Sequence, residues 1–80
     1  MRLDKYLKVT RIIKRRTVAN EACDAAHVTV NGRPAKASYD VKVGDLIAIT
    51  FGARTLRIRV LEVRETVGKD AASTLYEVVE

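Results

Sequence analysis

Val28-Thr29-Val30-Asn31-Gly32 is where the chain changes character. Before it, apolar residues recur at three- and four-residue spacing, the period of a helix; from Val28 onward they alternate, the period of a strand. Asn31-Gly32 is a strong turn signal, because a two-residue type I′ turn needs positive φ at both positions. Pro34 follows two residues later and has no amide to donate, which keeps it off any central strand.

Upstream, Leu3, Tyr6, Leu7, Thr10 and Ile13 fall on one side of a helical wheel, and Lys5, Lys8, Arg15 and Arg16 on the other. This predicts a first helix near residues 3–10. Val9 and Ile12 leave the stripe, so a break is expected near Arg11. Val18, Ala19, Ala22, Cys23 and Ala26 predict a second helix over about 15–26, opened either by Thr17 as cap or from Lys14. His27 then stands where the helix must stop, a position that favours glycine because φ is often positive.

Downstream, Val43-Gly44-Asp45 predicts a second turn, followed by an apolar strand over Leu46–Phe51. A third strand is expected over 54–63, with Leu56, Ile58 and Val60 on one face and Arg57 and Arg59 on the other. The two arginines mark either a solvated face or a second RNA surface. The alternation slips at Val60-Leu61, as at a bulge. Residues 65–73 read as a loop, and 74–79 as a last strand antiparallel to the third. Helices first and strands afterwards give an α+β fold, two N-terminal helices packed on a small twisted antiparallel sheet.

Eighty residues allow one small domain. Its charge is uneven: residues 1–36 hold nine cations against three acids, whereas 37–80 hold six against seven. Seven of the cations, Arg2, Lys5, Lys8, Arg11, Lys14, Arg15 and Arg16, lie within the first sixteen residues, opposed only by Asp4. Such a cluster on one helical segment fits a polyanion, since phosphate contacts supply most nucleic-acid affinity. Catalysis finds no support: no carboxylate pair shares an element at useful spacing, and serines and threonines have no base beyond His27. One cysteine, Cys23, and one histidine provide neither a disulfide nor a Cys/His zinc site. We therefore expect no metal, cofactor or enzymatic activity, and no membrane segment. Cys23 and Tyr6 read as core residues, and Asp4 as ion-paired.

Arg2-Leu-Asp-Lys-Tyr-Leu7, Arg15-Arg16, Val28-Thr-Val-Asn-Gly32, Lys36 and Val43-Gly-Asp45, in that order over residues 1–50, resemble the RNA-binding domain named after small-subunit ribosomal protein S-four. The resemblance implies an αL-type RNA-binding motif over 1–50 and a β-hairpin extension over 51–80, forming a single domain. In size and in Lys14-Arg-Arg-Thr17 the chain is similar to the RqcP (YabO) class of bacterial ribosome quality-control factors, and also to the fifteen-kilodalton heat-shock class. By that resemblance, Arg2 and Arg16 are the first RNA-contacting candidates, with Lys5, Arg15 and Lys36 next. Asp4 would orient an arginine, and Asn31-Gly32 would shape the hairpin beside the RNA.

The implied partners are large ribosomal subunits carrying peptidyl-tRNA, contacted through rRNA and tRNA. An RqcH-type factor that adds a C-terminal alanine tail would act alongside. A cytoplasmic, ribosome-associated monomer is the expectation. The chain departs from the family at His27, where many members have glycine, at Arg11, where many have a small residue, and at Lys14, where many have serine. Other readings are a heat-shock-type recycling factor without tailing, a DNA-binding regulator, and a protein–protein adaptor. The DNA reading is opposed by a second helix with no cation beyond Thr17. The adaptor reading requires an apolar patch that the pattern does not contain.

Overall fold

The computed structural model describes residues 1–65 and 67–79, Lys69 by its backbone. Helices α1 (Leu3–Val9) and α2 (Arg16–Asp24) precede strands β1 (Val28–Val30), β2 (Arg33–Pro34), β3 (Leu46–Phe51) and β4 (Arg54–Val60). A 3₁₀ helix (Lys69–Leu75) and strand β5 (Tyr76–Val78) follow. The strands form one antiparallel sheet in the order β2-β1-β3-β4-β5. The core lies between the helices and one sheet face: Leu3, Tyr6 and Leu7 of α1 and Ala19 and Cys23 of α2 are buried with Val28, Ile47, Ile49, Ile58 and Val60.

Helix α1 is short because Arg11 turns the chain to φ 62°, as the broken stripe predicted. Thr10 closes the end, its hydroxyl donating to the Tyr6 and Leu7 carbonyls at 2.9 and 3.1 Å. Helix α2 ends differently from expectation. The positive φ falls on Ala26 (61°), one residue before His27, and the helix closes two residues earlier than 26. The Ala26 amide donates to the Cys23 carbonyl and the His27 amide to that of Ala22, a Schellman closure with alanine in the glycine position.

Asn31 and Gly32 have φ of 53° and 83°, the signature of the two-residue turn joining β1 to β2. Pro34 occupies the edge strand, where its missing amide costs no ladder bond. On β4, Ile58 and Val60 are buried while Arg57 and Arg59 face solvent. The strand stops at Val60 rather than 63. There the amides of Leu61 and Glu62 both donate to the Leu75 carbonyl at 2.9 and 3.1 Å, two residues facing one, as in a bulge.

The expected loop over 65–73, of which Thr66 lies outside the described residues, runs instead into the 3₁₀ helix, and β5 starts at Tyr76 rather than 74. The cause is local: Ala72 and Leu75, three apart, are both buried, and the Ala71 amide donates to the Gly68 carbonyl. Tyr6, fully buried, donates its hydroxyl to the Leu75 carbonyl at 2.8 Å, joining α1 to this segment.

Candidate nucleic-acid interface

Helix α1 buries one charged residue among its apolar ones. Asp4 is 1% exposed and sits in the first turn of α1, where a carboxylate also complements the helix dipole. Its Oδ1 accepts from Arg2 Nε at 3.1 Å and the Lys5 amide at 2.8 Å. Its Oδ2 accepts from Arg2 Nη2 at 3.3 Å, Arg16 Nε at 3.2 Å and Asn20 Nδ2 at 3.4 Å. Burial pushes the Asp4 carboxyl up, but the bonds from Arg2, Arg16, Asn20 and the Lys5 amide together hold it below its ordinary value. The group is an ionised clamp on two arginines whose side chains remain about half exposed, at 49% and 46%. Each arginine is thus fixed at its Nε side by protein while it still faces solvent, an arrangement suited to an external phosphate.

Arg16 also belongs to a depression of about 810 Å³ that it lines with Lys5, Lys8, Arg11, Lys14, Val9, Glu65 and Val67. Five of the eight predicted cations therefore share one concave surface, built from one face of α1, the turn between the helices and the start of α2. Lys8, Arg11 and Lys14 have no carboxylate partner among the described residues. Arg11 reaches this surface from a left-handed backbone conformation, which costs a non-glycine residue about 1–2 kcal/mol. Arg15 precedes α2 and is exposed, but it is not among the lining residues.

Lys36 stands apart from that depression. It is exposed just after β2 and lines a second concavity with Asn31, Arg33, Ser38 and Tyr39. The segment that follows it is laid against α1: the Leu3 amide donates to the Tyr39 carbonyl at 2.8 Å and the Asp4 amide to that of Ala37 at 3.2 Å. Asn31 shapes more than its own turn. Its Oδ1 accepts from the Leu46 amide at 3.0 Å, and its Nδ2 donates to Asp45 Oδ1 at 3.1 Å. Asp45, 8% exposed, also accepts from the Tyr39 hydroxyl and the Lys42 amide, both at 2.9 Å. That bond to Asp45 raises the Tyr39 phenol above its usual value.

Cys23 is buried, and burial, with Asp4 and Asp24 nearby, pushes its thiol up to about 11, so it is not an activated nucleophile. Among the described residues, no group of three His, Cys, Asp or Glu is placed to hold a metal ion, and no helix is long and apolar enough to cross a membrane.

The S4 domain matches residues 1–47, a span that holds all eight predicted cations and both carboxylate hubs. The chain belongs to the S4 domain family. It is 55% identical over 78 residues to the RQC P-site tRNA stabilizing factor of Halalkalibacterium halodurans, covering 98% of this chain and 89% of the relative. It is 46% identical over 79 residues to the factor of the same name from Bacillus subtilis, covering 99% and 92%. The trimeric structure of Vibrio cholerae heat shock protein 15 superposes with a TM-score of 0.92 at 30% identity, covering 99% of this chain and 81% of that one. Asn20, Tyr39 and Glu65 of this S4 chain escaped the sequence reading, and Asp45, read there only within the Val43-Gly44-Asp45 turn and motif, is a buried hydrogen-bond hub. Asn20 alone had a local signal, a polar residue one turn after Arg16 on the helix face that carries it.

Proposed function

We propose that this chain is a non-enzymatic RNA-binding factor of ribosome-associated quality control. It binds rRNA and tRNA on large ribosomal subunits obstructed by peptidyl-tRNA, and it supports C-terminal alanine tailing with an RqcH-type partner. The observation that carries the RNA reading is the Asp4-clamped pair Arg2 and Arg16 beside the depression lined by Lys5, Lys8, Arg11 and Lys14. The choice of target rests on near full-length similarity to factors named for stabilising P-site tRNA. In this reading Arg2, Arg16 and the lining cations contact phosphate, Lys36 and Arg15 extend the footprint, and the protein works in the cytoplasm as a monomer.

Binding to rRNA should weaken with salt at a log–log slope of about −3 to −5 if about four to six phosphates are engaged. Replacing Arg2 and Arg16 together by alanine should lower affinity with an unchanged circular dichroism spectrum. Sedimentation of a lysate should carry the protein with large subunits; recovery only at the top of the gradient would overturn the ribosomal target. A second reading, subunit recycling without tailing, draws on the likeness to heat shock protein 15. Deleting the gene separates the two: loss of alanine tails from stalled chains supports the first, and intact tails with accumulated obstructed subunits support the second.

A further inference from the structure

The depression that gathers five cations also contains one acid. Glu65 comes from the segment after β4, lines the same surface, and accepts a hydrogen bond from Lys5 Nζ. Lys5 is flanked by Arg2, just before α1, and by Lys8 within it, so it lies inside the basic run rather than at its edge. Glu65 lies beyond the matched S4 residues, and it reaches Lys5 across a separation of sixty positions. Both side chains are open to solvent, at 37% for Lys5 and 71% for Glu65. The pair therefore adds little to stability. Its effect falls on whatever enters the groove. The hydrogen bond from Lys5, and its charge, hold the Glu65 carboxyl below its ordinary value, so it is an anion at neutral pH.

A phosphate approaching Lys5 finds its ammonium already paired with that anion. It must displace the carboxylate or bind beside a like charge, and either lowers the gain from a purely electrostatic contact. A ribose 2′-hydroxyl reverses the balance, because it donates a hydrogen bond that a carboxylate accepts, and it is the group that distinguishes RNA from DNA.

We propose that Glu65 is a specificity-determining residue, a counter-charge built into the RNA groove that masks Lys5 from indiscriminate polyanions and accepts a 2′-hydroxyl from the bound RNA. This rests on the RNA-binding reading of the groove. Four consequences follow for Glu65→Gln, which keeps shape and an acceptor oxygen but removes the charge. Lys5 is released, DNA affinity rises, the salt dependence on DNA steepens, and discrimination between RNA and DNA shrinks.

The experiment uses the full chain and two labelled 20-base-pair duplexes of one sequence, one RNA and one DNA, titrated by fluorescence anisotropy across a salt series. With Glu65→Gln, DNA binding should tighten about fivefold at moderate salt and its log–log slope should steepen by about 0.9, one further phosphate contact. RNA binding should change less. Adding Lys5→Gln to that variant should return the DNA slope to the wild-type value. An unchanged DNA slope in Glu65→Gln would overturn the masking of Lys5. Equal gains on RNA and DNA would overturn the role in discrimination. A wild-type slope near zero on both duplexes would instead overturn the groove as an RNA site, and with it this assignment.

Discussion

Replacing Asp4 by asparagine removes the charge that clamps Arg2 and Arg16 while preserving the size and planarity of the side chain. The carboxylate accepts five hydrogen bonds, and an amide at the same place offers one acceptor and one donor group. With its oxygen at the Oδ1 position, the amide keeps the Lys5 amide bond but turns its NH₂ toward Arg2 Nη2, Arg16 Nε and Asn20 Nδ2, three donors. A bond to a charged group contributes about 1.5–3 kcal/mol net. Because both guanidinium groups are half exposed and regain water, we reduce this to about 1 kcal/mol for each arginine. The buried donor-to-donor contact adds about 1 kcal/mol more. The variant should therefore lose about 3 kcal/mol, or about 12–24 °C in Tm for a domain of this size.

The sign of the pH dependence follows from the lowered carboxyl. The stability that Asp4 contributes is complete above its ordinary value of 3.8 and is lost as pH falls through the folded-state value. Urea denaturation should show the full gap between wild type and variant at neutral pH, and a closing gap well below pH 3.8. RNA binding offers a sharper test. The substitution raises the net charge from +5 to +6, which on charge alone would tighten binding. If Asp4 aims the arginines, affinity instead falls about tenfold, the equivalent of about 1.4 kcal/mol. An unchanged denaturation midpoint together with tighter RNA binding would refute the clamp.

Three further substitutions probe other parts of the argument. Ala26→Gly relieves the left-handed strain at the end of α2 and should raise stability by about 1 kcal/mol, measured by urea denaturation, with RNA affinity unchanged. Arg11→Gly relieves the same kind of strain but removes a lining cation. Stability should rise by about 1 kcal/mol while the RNA salt slope becomes shallower by about 0.9, and an unchanged slope would show that Arg11 makes no contact. Tyr6→Phe deletes the buried hydroxyl bond to Leu75 and should cost about 1 kcal/mol, with faster amide exchange at Leu61 and Glu62.

The parts of the fold that the sequence disclosed are those set by neighbours along the chain. The broken stripe at Arg11, the Asn31-Gly32 turn, the edge placement of Pro34 and the alternation of Arg57 and Arg59 all follow from local periodicity and backbone chemistry. The end of α2 was placed two residues late, and its left-handed residue one position late, because alanine gives no hint of a positive φ, whereas His27 stood at the visible change of period. The 3₁₀ helix was missed because seven residues with two buried positions among the described side chains, Ala72 and Leu75, are too few to establish a period. At the site, the two arginines and Asp4 were legible because they belong to adjacent helices within one sequence cluster. Asp45 and Glu65 were not, since their partners Asn31 and Lys5 lie 14 and 60 positions away. Only tertiary folding brings such carboxylates to these donors.

The Leu75 carbonyl, shared by Tyr6 and the two bulge amides, closes a loop of 69 positions in an 80-residue chain. Such closure defers folding: helix α1 cannot complete its buried contacts until Leu75, far along the chain, is in place. The cationic surface borne by α1 should therefore mature together with the carboxyl-terminal strand in one concerted step. A copy in which the segment around Leu75 has not yet closed onto Tyr6 would lack a finished grip on RNA.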